Sequence, residues 1–228
     1  MKHGLIFDLD GTLVDSLQGI AASVNHALVE AGHATHSLAA VQGFIGNGAR
    51  ILLERAAPGG ADEALLLSLE ETFKSHYDVS WPNGTLPYDG VTALLETLQR
   101  LGHPLAVLSN KPHPFTQTIV SQIFPGIRFA EVLGQRAGIH HKPDPAGALE
   151  IAESFGLAPA DCIVIGDSTM DIETAKNAGM KSIGVTWGFQ DRAKLIAAGA
   201  DVLADNMDDL LRFCGGGFSS AVRQDNAE

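Results

Sequence analysis

The feature that most constrains the fold is a regular alternation of short apolar runs with amphipathic helical segments, which fills the chain from residue 90 onward. Strands that alternate with helices predict a parallel sheet with helices on both faces. We therefore predict an α/β fold with a doubly wound, Rossmann-like parallel sheet. The predicted strands are Gly4–Phe7, Pro104–Ser109, Ala130–Gly134, Asp161–Gly166, Lys181–Thr186 and Asp201–Ala204. The predicted helices are Gly90–Leu101, Pro114–Ile123, Ala146–Phe155, Asp171–Ala178, Arg192–Ala198 and Met207–Phe213.

Residues 15–82 interrupt this alternation with helical patterns and no predicted strand. A block of this kind between the first strand and the next strand–helix unit predicts an all-helical inserted domain. The core domain would then comprise residues 1–14 and 83–214, with the Gly- and Pro-rich segment Trp81–Gly90 as the return linker. Residues 215–228 begin with three glycines and are predicted to form a mobile tail. The helices predicted in the insertion are Ser16–Ala31, Leu38–Phe44, Ala49–Ala56 and Asp62–Val79.

Composition excludes several classes of protein. The chain has 228 residues, of which 45% are hydrophobic, so it can form a sizeable core. A net charge of −12 argues against nucleic-acid binding, and no run of 18 apolar residues predicts a membrane span. The two cysteines, Cys162 and Cys214, do not indicate a disulfide framework. We expect a cytoplasmic protein without a nucleic-acid or membrane partner.

Two aspartates follow the first predicted strand, in the stretch GLIFDLDGTLVDS. Gly11 and Thr12 end that strand, so Asp8 and Asp10 would lie together at its carboxyl end. Two carboxylates at the end of a buried strand repel each other and lose hydration, which is costly unless a cation is near. A single aspartate here would be read as part of a solvated turn. The pair therefore has to be weighed together with the other polar groups that follow strands.

Three further polar segments come shortly after predicted strands. Ser109 and Asn110 close one strand, Lys142 stands in the stiff sequence HKPDP, and Asp167 and Asp171 follow another strand. Each has an ordinary structural explanation by itself: a turn, a surface lysine, or an acidic group at a helix N-terminus. A parallel sheet would nevertheless bring all of them to one edge, where α/β proteins bind ligands.

The charge of such a site predicts a cation. Asp8, Asp10, Asp167 and Asp171 contribute four negative charges and Lys142 one positive charge. A hard ion with oxygen ligands, most simply Mg²⁺, would offset this excess. A phosphate dianion would still meet a negative site, which suits a reaction in which one carboxylate attacks phosphorus and another transfers a proton.

The motifs FDLDGTLVDS, LSNKP, KPDP and GDSTMD, in this order, resemble the four motifs of the haloacid dehalogenase-like hydrolase superfamily. The resemblance spans nearly the whole chain. Within the superfamily, IGNGARILLERA and SNKPHPF are similar to the phosphoglycolate phosphatases. By this resemblance, the helical insertion corresponds to a cap domain.

The resemblance implies roles for the acidic residues. Asp8 would be the nucleophile that forms an aspartyl-phosphate, and Asp10 the general acid and base. Mg²⁺ would be held by Asp8, by the backbone carbonyl of Asp10 and by Asp167. Asp171 would support the water shell of the metal.

The resemblance also implies how the phosphate is bound. Ser109 and Lys142 would bind the phosphoryl oxygens, and Lys142 would also neutralise Asp8. Asn110 is a further candidate for phosphate binding because it closes the same strand as Ser109. In the cap, Arg50 is our candidate for a carboxylate on the substrate, although it could instead form a salt bridge within its helix. Lys111 could reach the same carboxylate or remain solvated.

The implied function is that of a Mg²⁺-dependent phosphoric monoester hydrolase, acting on a small phosphorylated metabolite such as phosphoglycolate, as a monomer or homodimer. A phosphosugar mutase or a pyrophosphatase on the same scaffold stays open as an alternative. A more remote alternative is a phosphorylated receiver domain in signalling, although such domains are shorter and have no helical insertion.

Overall fold

A computed structural model describes residues 2–215 of the chain. Its centre is a six-stranded sheet in which all strands run parallel, in the order β5-β4-β1-β6-β7-β8. The predicted parallel sheet is therefore confirmed. Its strands are β1 (Gly4–Phe7), β4 (Leu105–Pro112), β5 (Phe129–Gln135), β6 (Cys162–Gly166), β7 (Lys181–Val185) and β8 (Val202–Ala204).

Alternate side chains of the central strand pack into different layers. Leu5 and Phe7 belong to one hydrophobic cluster and Ile6 to another, because successive residues of a strand point to opposite faces. Helices α5, α6 and α10 cover the first face, and α7 and α8 cover the second. The sheet is thus doubly wound, as predicted. The helices are α5 (Val91–Leu101), α6 (His113–Ile123), α7 (Ala146–Phe155), α8 (Thr169–Ala178), α9 (Arg192–Ala198) and α10 (Met207–Cys214).

Four helices lie between the first strand and the return to the sheet, as predicted. Within this helical insertion α1 packs against α4, and the buried side chains of the two helices include Val24, Leu28, Leu69 and Phe73. The division of the chain into a core of residues 1–14 and 83–214 and a cap of residues 15–82 stays a prediction. The helices are α1 (Leu17–Glu30), α2 (Leu38–Phe44), α3 (Gly48–Ala56) and α4 (Glu63–Ser80).

The expectation of no strand between residues 15 and 82 is wrong at Asp15, and a second short strand that was not predicted lies in the return linker. The two-residue strands β2 (Val14–Asp15) and β3 (Leu86–Pro87) pair antiparallel where the chain enters and leaves the helical insertion. Strands of two residues have no detectable period, so the sequence pattern could not reveal them. The strand predicted to end at Ser109 also continues to Pro112, which extends β4 into the site.

The predicted mobile tail lies outside the described residues, apart from Gly215. Within residues 2–215, no helix is both long enough and apolar enough to cross a lipid bilayer.

Candidate active site

The predicted polar residues meet at the carboxyl edge of the sheet. The chain runs from β1 to β4 on one side and later to β6 on the other, so the order of the strands reverses at β1. Such a reversal opens a crevice where α/β proteins bind ligands. A cavity of about 80 Å³ lies there. Of the predicted residues, it is lined by Asp8, Asp10, Ser109, Asn110, Lys111, Lys142 and Asp167.

Lys142 connects the acidic groups at the base of the cavity. Its Nζ atom lies 2.6 Å from Oδ1 of Asp171 and 2.9 Å from Oδ1 of Asp8, and it donates to the carbonyl of Leu108 at 3.0 Å. Burial by itself would lower the pKa of Lys142, but attraction to Asp171 and Asp8 outweighs burial and raises it. The ammonium is therefore a fixed positive charge beside Asp8.

Asp8 lies at the centre of this group. Its backbone amide donates to the carbonyl of Ile165 in β6, and its Oδ1 atom accepts from the amide of Leu9 at 2.7 Å. Burial raises the pKa of Asp8 to about 7, against the opposing attraction of Lys142, and repulsion from Asp171 adds to the increase. In the absence of a further cation, the ionised carboxylate is therefore disfavoured.

Three carboxylates lie close enough to share a metal ion. Asp8, Asp167 and Asp171 each place one oxygen within 4.8 Å of the others. Asp167 accepts from Oγ1 of Thr12 at 3.1 Å and from the amide of Phe189 at 2.7 Å. Burial, followed by repulsion from Asp8 and Asp171, raises the pKa of Asp167 well above its usual value. Among residues 2–215 it has no salt bridge, so it is the carboxylate with the greatest need of a cation.

Asp171 is more deeply buried than the prediction of a water-shell residue suggests. It is fully buried at the start of α8, where its Oδ2 atom accepts from the amide of Ser168 at 3.1 Å and from its hydroxyl at 2.6 Å. Its other oxygen contacts Lys142. In this structure Asp171 holds Lys142 and the first turn of α8 in place, and its carboxylate is one of the three that lie close enough to share a metal ion.

Two glycines allow the backbone to approach these carboxylates. A Cβ atom at Gly188 would lie 2.2 Å from Cβ of Asp167, and one at Gly166 would lie 2.1 Å from Cγ of Asp171. Neither distance is possible for a real side chain. Gly188 lies in the segment after β7, which belongs to none of the sequence motifs, so no local pattern pointed to it.

Asp10 forms a separate buried ion pair. Nζ of Lys111 lies 2.9 Å from both carboxylate oxygens of Asp10, and the hydroxyl of Ser16 donates to Oδ1 at 2.6 Å. Burial by itself would lower the pKa of Lys111, but Asp10 more than compensates and raises it. Lys111 is thus a buried residue of the site and not a solvated lysine.

Ser109 and Asn110 differ in how free their side chains are. Ser109 lines the cavity, and its hydroxyl accepts a hydrogen bond from the amide of Lys111 at 3.2 Å. The side chain of Asn110 accepts from the amide of Lys142 at 2.7 Å and donates to the carbonyls of Lys142 and Gly46. Asn110 therefore positions the lysine loop and links it to the helical insertion.

The helical insertion forms a mainly apolar roof over the cavity. The roof comprises Ile20, Ile45, Leu52, Phe73 and Tyr77, with backbone near Gly46 and Gly48. The structure does not bring Arg50 into this lining.

Arg50 is instead bound to glutamates of the insertion. Its guanidinium lies 2.9 Å from Glu54 and 2.5 Å from Glu63, and its side chain is 31% exposed. The guanidinium forms salt bridges within the insertion, which was the alternative expectation, and Arg50 does not line the cavity. A single arginine in a helix carries no sequence signal that separates these outcomes.

Fold and site together define an α/β enzyme with an acidic centre at the carboxyl edge of a parallel sheet, covered by a helical insertion. Residues 5–185 match the model of the haloacid dehalogenase-like hydrolase family, so the chain belongs to that family and is a hydrolase.

Named sequence relatives agree with the predicted resemblance to the phosphoglycolate phosphatases. The chain is 34% identical over 216 residues to a phosphoglycolate phosphatase of Pectobacterium atrosepticum, which covers 93% of this chain and 92% of the relative. It is 33% identical over 220 residues to a phosphoglycolate phosphatase of Pseudomonas putida, and the match covers 92% of this chain and 79% of the relative. A solved structure from Lactobacillus delbrueckii superposes with a TM-score of 0.87 at 30% identity, covering 94% of this chain and 99% of that chain. The predicted resemblance to this group is confirmed.

Proposed function

We propose that this protein is a Mg²⁺-dependent phosphatase that hydrolyses small phosphate monoesters resembling phosphoglycolate. The observation that carries the proposal is the buried group of Asp8, Asp167 and Asp171, with Lys142 beside it and the second carboxylate, Asp10, in the same cavity. The names of the sequence relatives support a phosphoglycolate-like substrate. Both cysteines are buried and unpaired, which suits a reducing cytoplasm.

The donor set fits a hard divalent ion. Carboxylate and carbonyl oxygens are preferred ligands of Mg²⁺, and Asp167 is buried without a salt bridge among the described residues. Asp8, Asp167 and the backbone carbonyl of Asp10 would hold the ion, with Asp171 behind them. When bound, Mg²⁺ would neutralise phosphoryl oxygens and favour the ionised form of Asp8.

In the first half-reaction, a carboxylate oxygen of Asp8 attacks phosphorus. The bond between phosphorus and the ester oxygen breaks, and the leaving alkoxide takes a proton from Asp10, which enters this step as the carboxylic acid and leaves it as the carboxylate paired with Lys111. The products are the free alcohol and an aspartyl-phosphate. Lys142, fixed 2.9 Å from Asp8, would offset the charge that collects on the phosphoryl oxygens.

In the second half-reaction, water attacks the aspartyl-phosphate. The water gives a proton to the carboxylate of Asp10, the bond between phosphorus and the Asp8 oxygen breaks, and inorganic phosphate leaves. Both aspartates return to their starting state. Ser109 would bind a phosphoryl oxygen through its hydroxyl, while Asn110 holds the lysine loop.

The test compares the wild type with Asp8→Asn and Asp10→Asn on a phosphate monoester with a good leaving group. We expect Mg²⁺ to restore activity lost in excess chelator, and we expect no phosphoenzyme in Asp8→Asn. Asp10→Asn should still form the phosphoenzyme and hydrolyse it roughly 10²- to 10⁴-fold more slowly. Full activity in chelator, or a phosphoenzyme in Asp8→Asn, would contradict the proposal.

A further inference from the structure

The roof of the cavity contains one polar group that the proposed chemistry leaves unused. Tyr77 lies in α4, lines the cavity and is 1% exposed. Its hydroxyl makes no hydrogen bond of ordinary length among residues 2–215, although the Lys111 ammonium lies near enough to attract its oxygen, so the hydroxyl proton has no acceptor. A buried hydroxyl without a partner is destabilising by about 1–3 kcal/mol, and such groups are rare in folded proteins. A ligand atom bound in the cavity would supply the missing partner.

Aromatic packing fixes the Tyr77 ring beside the cation of the site. The ring stacks on Phe73 at 5.6 Å between centroids and meets the edge of Phe115 at 5.4 Å. Nζ of Lys111 lies 4.7 Å from the centre of the Tyr77 ring. A hydroxyl donor and an ammonium are thus held close together, at the boundary between the core and the helical insertion.

The N-terminus of α3 adds positive potential to the same part of the cavity. Gly46, Gly48 and Ala49 line the cavity at the start of this helix. Asn47, at the N-cap position, makes no capping hydrogen bond. Its side chain instead donates to Met170 and accepts from Arg55. The first-turn amides therefore have no capping side chain, and the N-terminal end of α3, where the helix dipole is positive, borders the cavity.

We propose that Tyr77 and Lys111 bind a carboxylate on the leaving group of the substrate, beneath the first turn of α3. This inference rests on the proposed function and narrows its substrate class to phosphate esters of small 2-hydroxy carboxylic acids. The Tyr77 hydroxyl donates to one carboxylate oxygen, and the Lys111 ammonium contacts the carboxylate while it remains near Asp10. The apolar side chains of the roof exclude larger or more polar leaving groups.

This arrangement gives selectivity through Tyr77 and leaves phosphate binding to the core. An ester without a carboxylate leaves the Tyr77 hydroxyl unpaired. Such an ester therefore binds without this favourable contact, while its phosphoryl group is bound as before. Lys111 differs from Tyr77 because it also holds Asp10. Its loss affects every ester, whereas loss of the Tyr77 hydroxyl affects only the esters with a carboxylate.

The experiment measures kcat/KM of the wild type and Tyr77→Phe on 2-phosphoglycolate and on ethyl phosphate, which lacks the carboxylate. Phenylalanine keeps the ring under Lys111 and removes only the hydroxyl. We expect a loss of about 10- to 100-fold on 2-phosphoglycolate, the range for a hydrogen bond to a charged group. We expect less than about a threefold change on ethyl phosphate. Equal losses on the two esters, or no loss on 2-phosphoglycolate, would overturn the proposal.

Tyr88→Phe is the matched control, because Tyr88 is the other tyrosine of the chain and does not line the cavity. It should change kcat/KM by the same factor on both esters, because its hydroxyl lies near Asp10 and Asp167 of the core and not in the roof. Inhibition of ethyl phosphate hydrolysis by glycolate gives a second readout, which Tyr77→Phe should weaken by a similar factor. If the wild type hydrolysed neither ester, the proposed function itself would be overturned. If the wild type hydrolysed both esters and Tyr77→Phe lost activity equally on the two, only this inference would be overturned.

Discussion

Nζ of Lys111 lies 2.9 Å from each carboxylate oxygen of Asp10, although the two residues are 101 positions apart in the sequence. Both side chains are largely buried, at 6% and 13% exposure, so their attraction is screened less than that of a surface pair. The contact fixes the carboxylate proposed as the acid and base relative to the end of β4.

Lys111→Met should reduce kcat/KM on both 2-phosphoglycolate and ethyl phosphate by at least 10-fold, because Asp10 would lose the group that orients it. Lys111→Arg keeps the charge and should retain more activity. Removing one partner of a buried ion pair should also lower the midpoint of thermal unfolding. If Lys111→Met hydrolysed ethyl phosphate with the same kcat/KM as the wild type, the ion pair would have no function in the reaction.

The raised pKa of Asp8 should make the metal-free protein less stable as pH rises. The pKa is about 7 in the folded protein and near 4 in the unfolded chain. Between these values the folded state holds a proton that the unfolded state has lost, so the free energy of unfolding falls with pH in this window. Asp8→Asn removes this dependence, and it should be more stable than the wild type at pH 8 by about 2–4 kcal/mol.

The measurement is urea unfolding in chelator at pH 5 and pH 8. Asp78→Asn, at an exposed position of α4, is the control and should follow the wild type at both values. Added Mg²⁺ should stabilise the wild type more than Asp8→Asn, because the proposed ion site includes the carboxylate of Asp8. A wild type whose stability in chelator rises from pH 5 to pH 8 relative to Asp8→Asn would refute the sign of this effect.

Gly188→Ala should disturb the metal site through sterics alone. A Cβ at this position would lie 2.2 Å from Asp167 and 2.4 Å from the carbonyl oxygen of Gly11, so the loop or the carboxylate must move. We expect a loss of about 1–3 kcal/mol in stability and a raised Mg²⁺ requirement for activity. Gly126→Ala is the control, because nothing lies within 4 Å of the Cβ that alanine would add there and its backbone is not left-handed. Equal Mg²⁺ requirements in the two variants would contradict this assignment.

Arg50→Ala should affect esters with and without a carboxylate equally. Its guanidinium is bound to Glu54 and Glu63 and lies outside the cavity lining. Because this cluster is solvent-exposed, screening should keep the effect on stability small. Parallel kcat/KM measurements on 2-phosphoglycolate and ethyl phosphate provide the check, and a selective loss on 2-phosphoglycolate would restore the original prediction for Arg50.

The sequence pattern was sufficient for the sheet and for the residues that directly follow its strands. Apolar runs at regular intervals identify parallel strands, and the topology then requires Asp8, Ser109 and Asp167 to meet at one edge. Helices α2, α7 and α9 begin and end where the pattern places them. The prediction succeeded wherever a local period or the strand order alone determined the outcome.

Contacts that depend on side-chain direction could not be predicted in this way. Lys111 resembles any solvated lysine until its ammonium is seen on Asp10. Tyr77 lies among apolar residues of α4 and reads as an ordinary core position. Gly188 matters only because Asp167 is close to it in space. Each depends on a distance between segments far apart in sequence, which no local pattern contains.

The small pairing of β2 with β3 has a consequence for how the chain folds. Val14 lies opposite Pro87 and Asp15 opposite Leu86, so the two ends of the helical insertion are joined before the sheet continues. The neighbouring strands β1 and β4 are far apart in sequence, and their pairing must close a long loop. Once β2 and β3 have paired, the loop that must still close between β1 and β4 is several-fold shorter. The entropic cost of closing it is then lower by about 1 kcal/mol. These four residues therefore allow the centre of the sheet to assemble almost as if the insertion were absent from the chain.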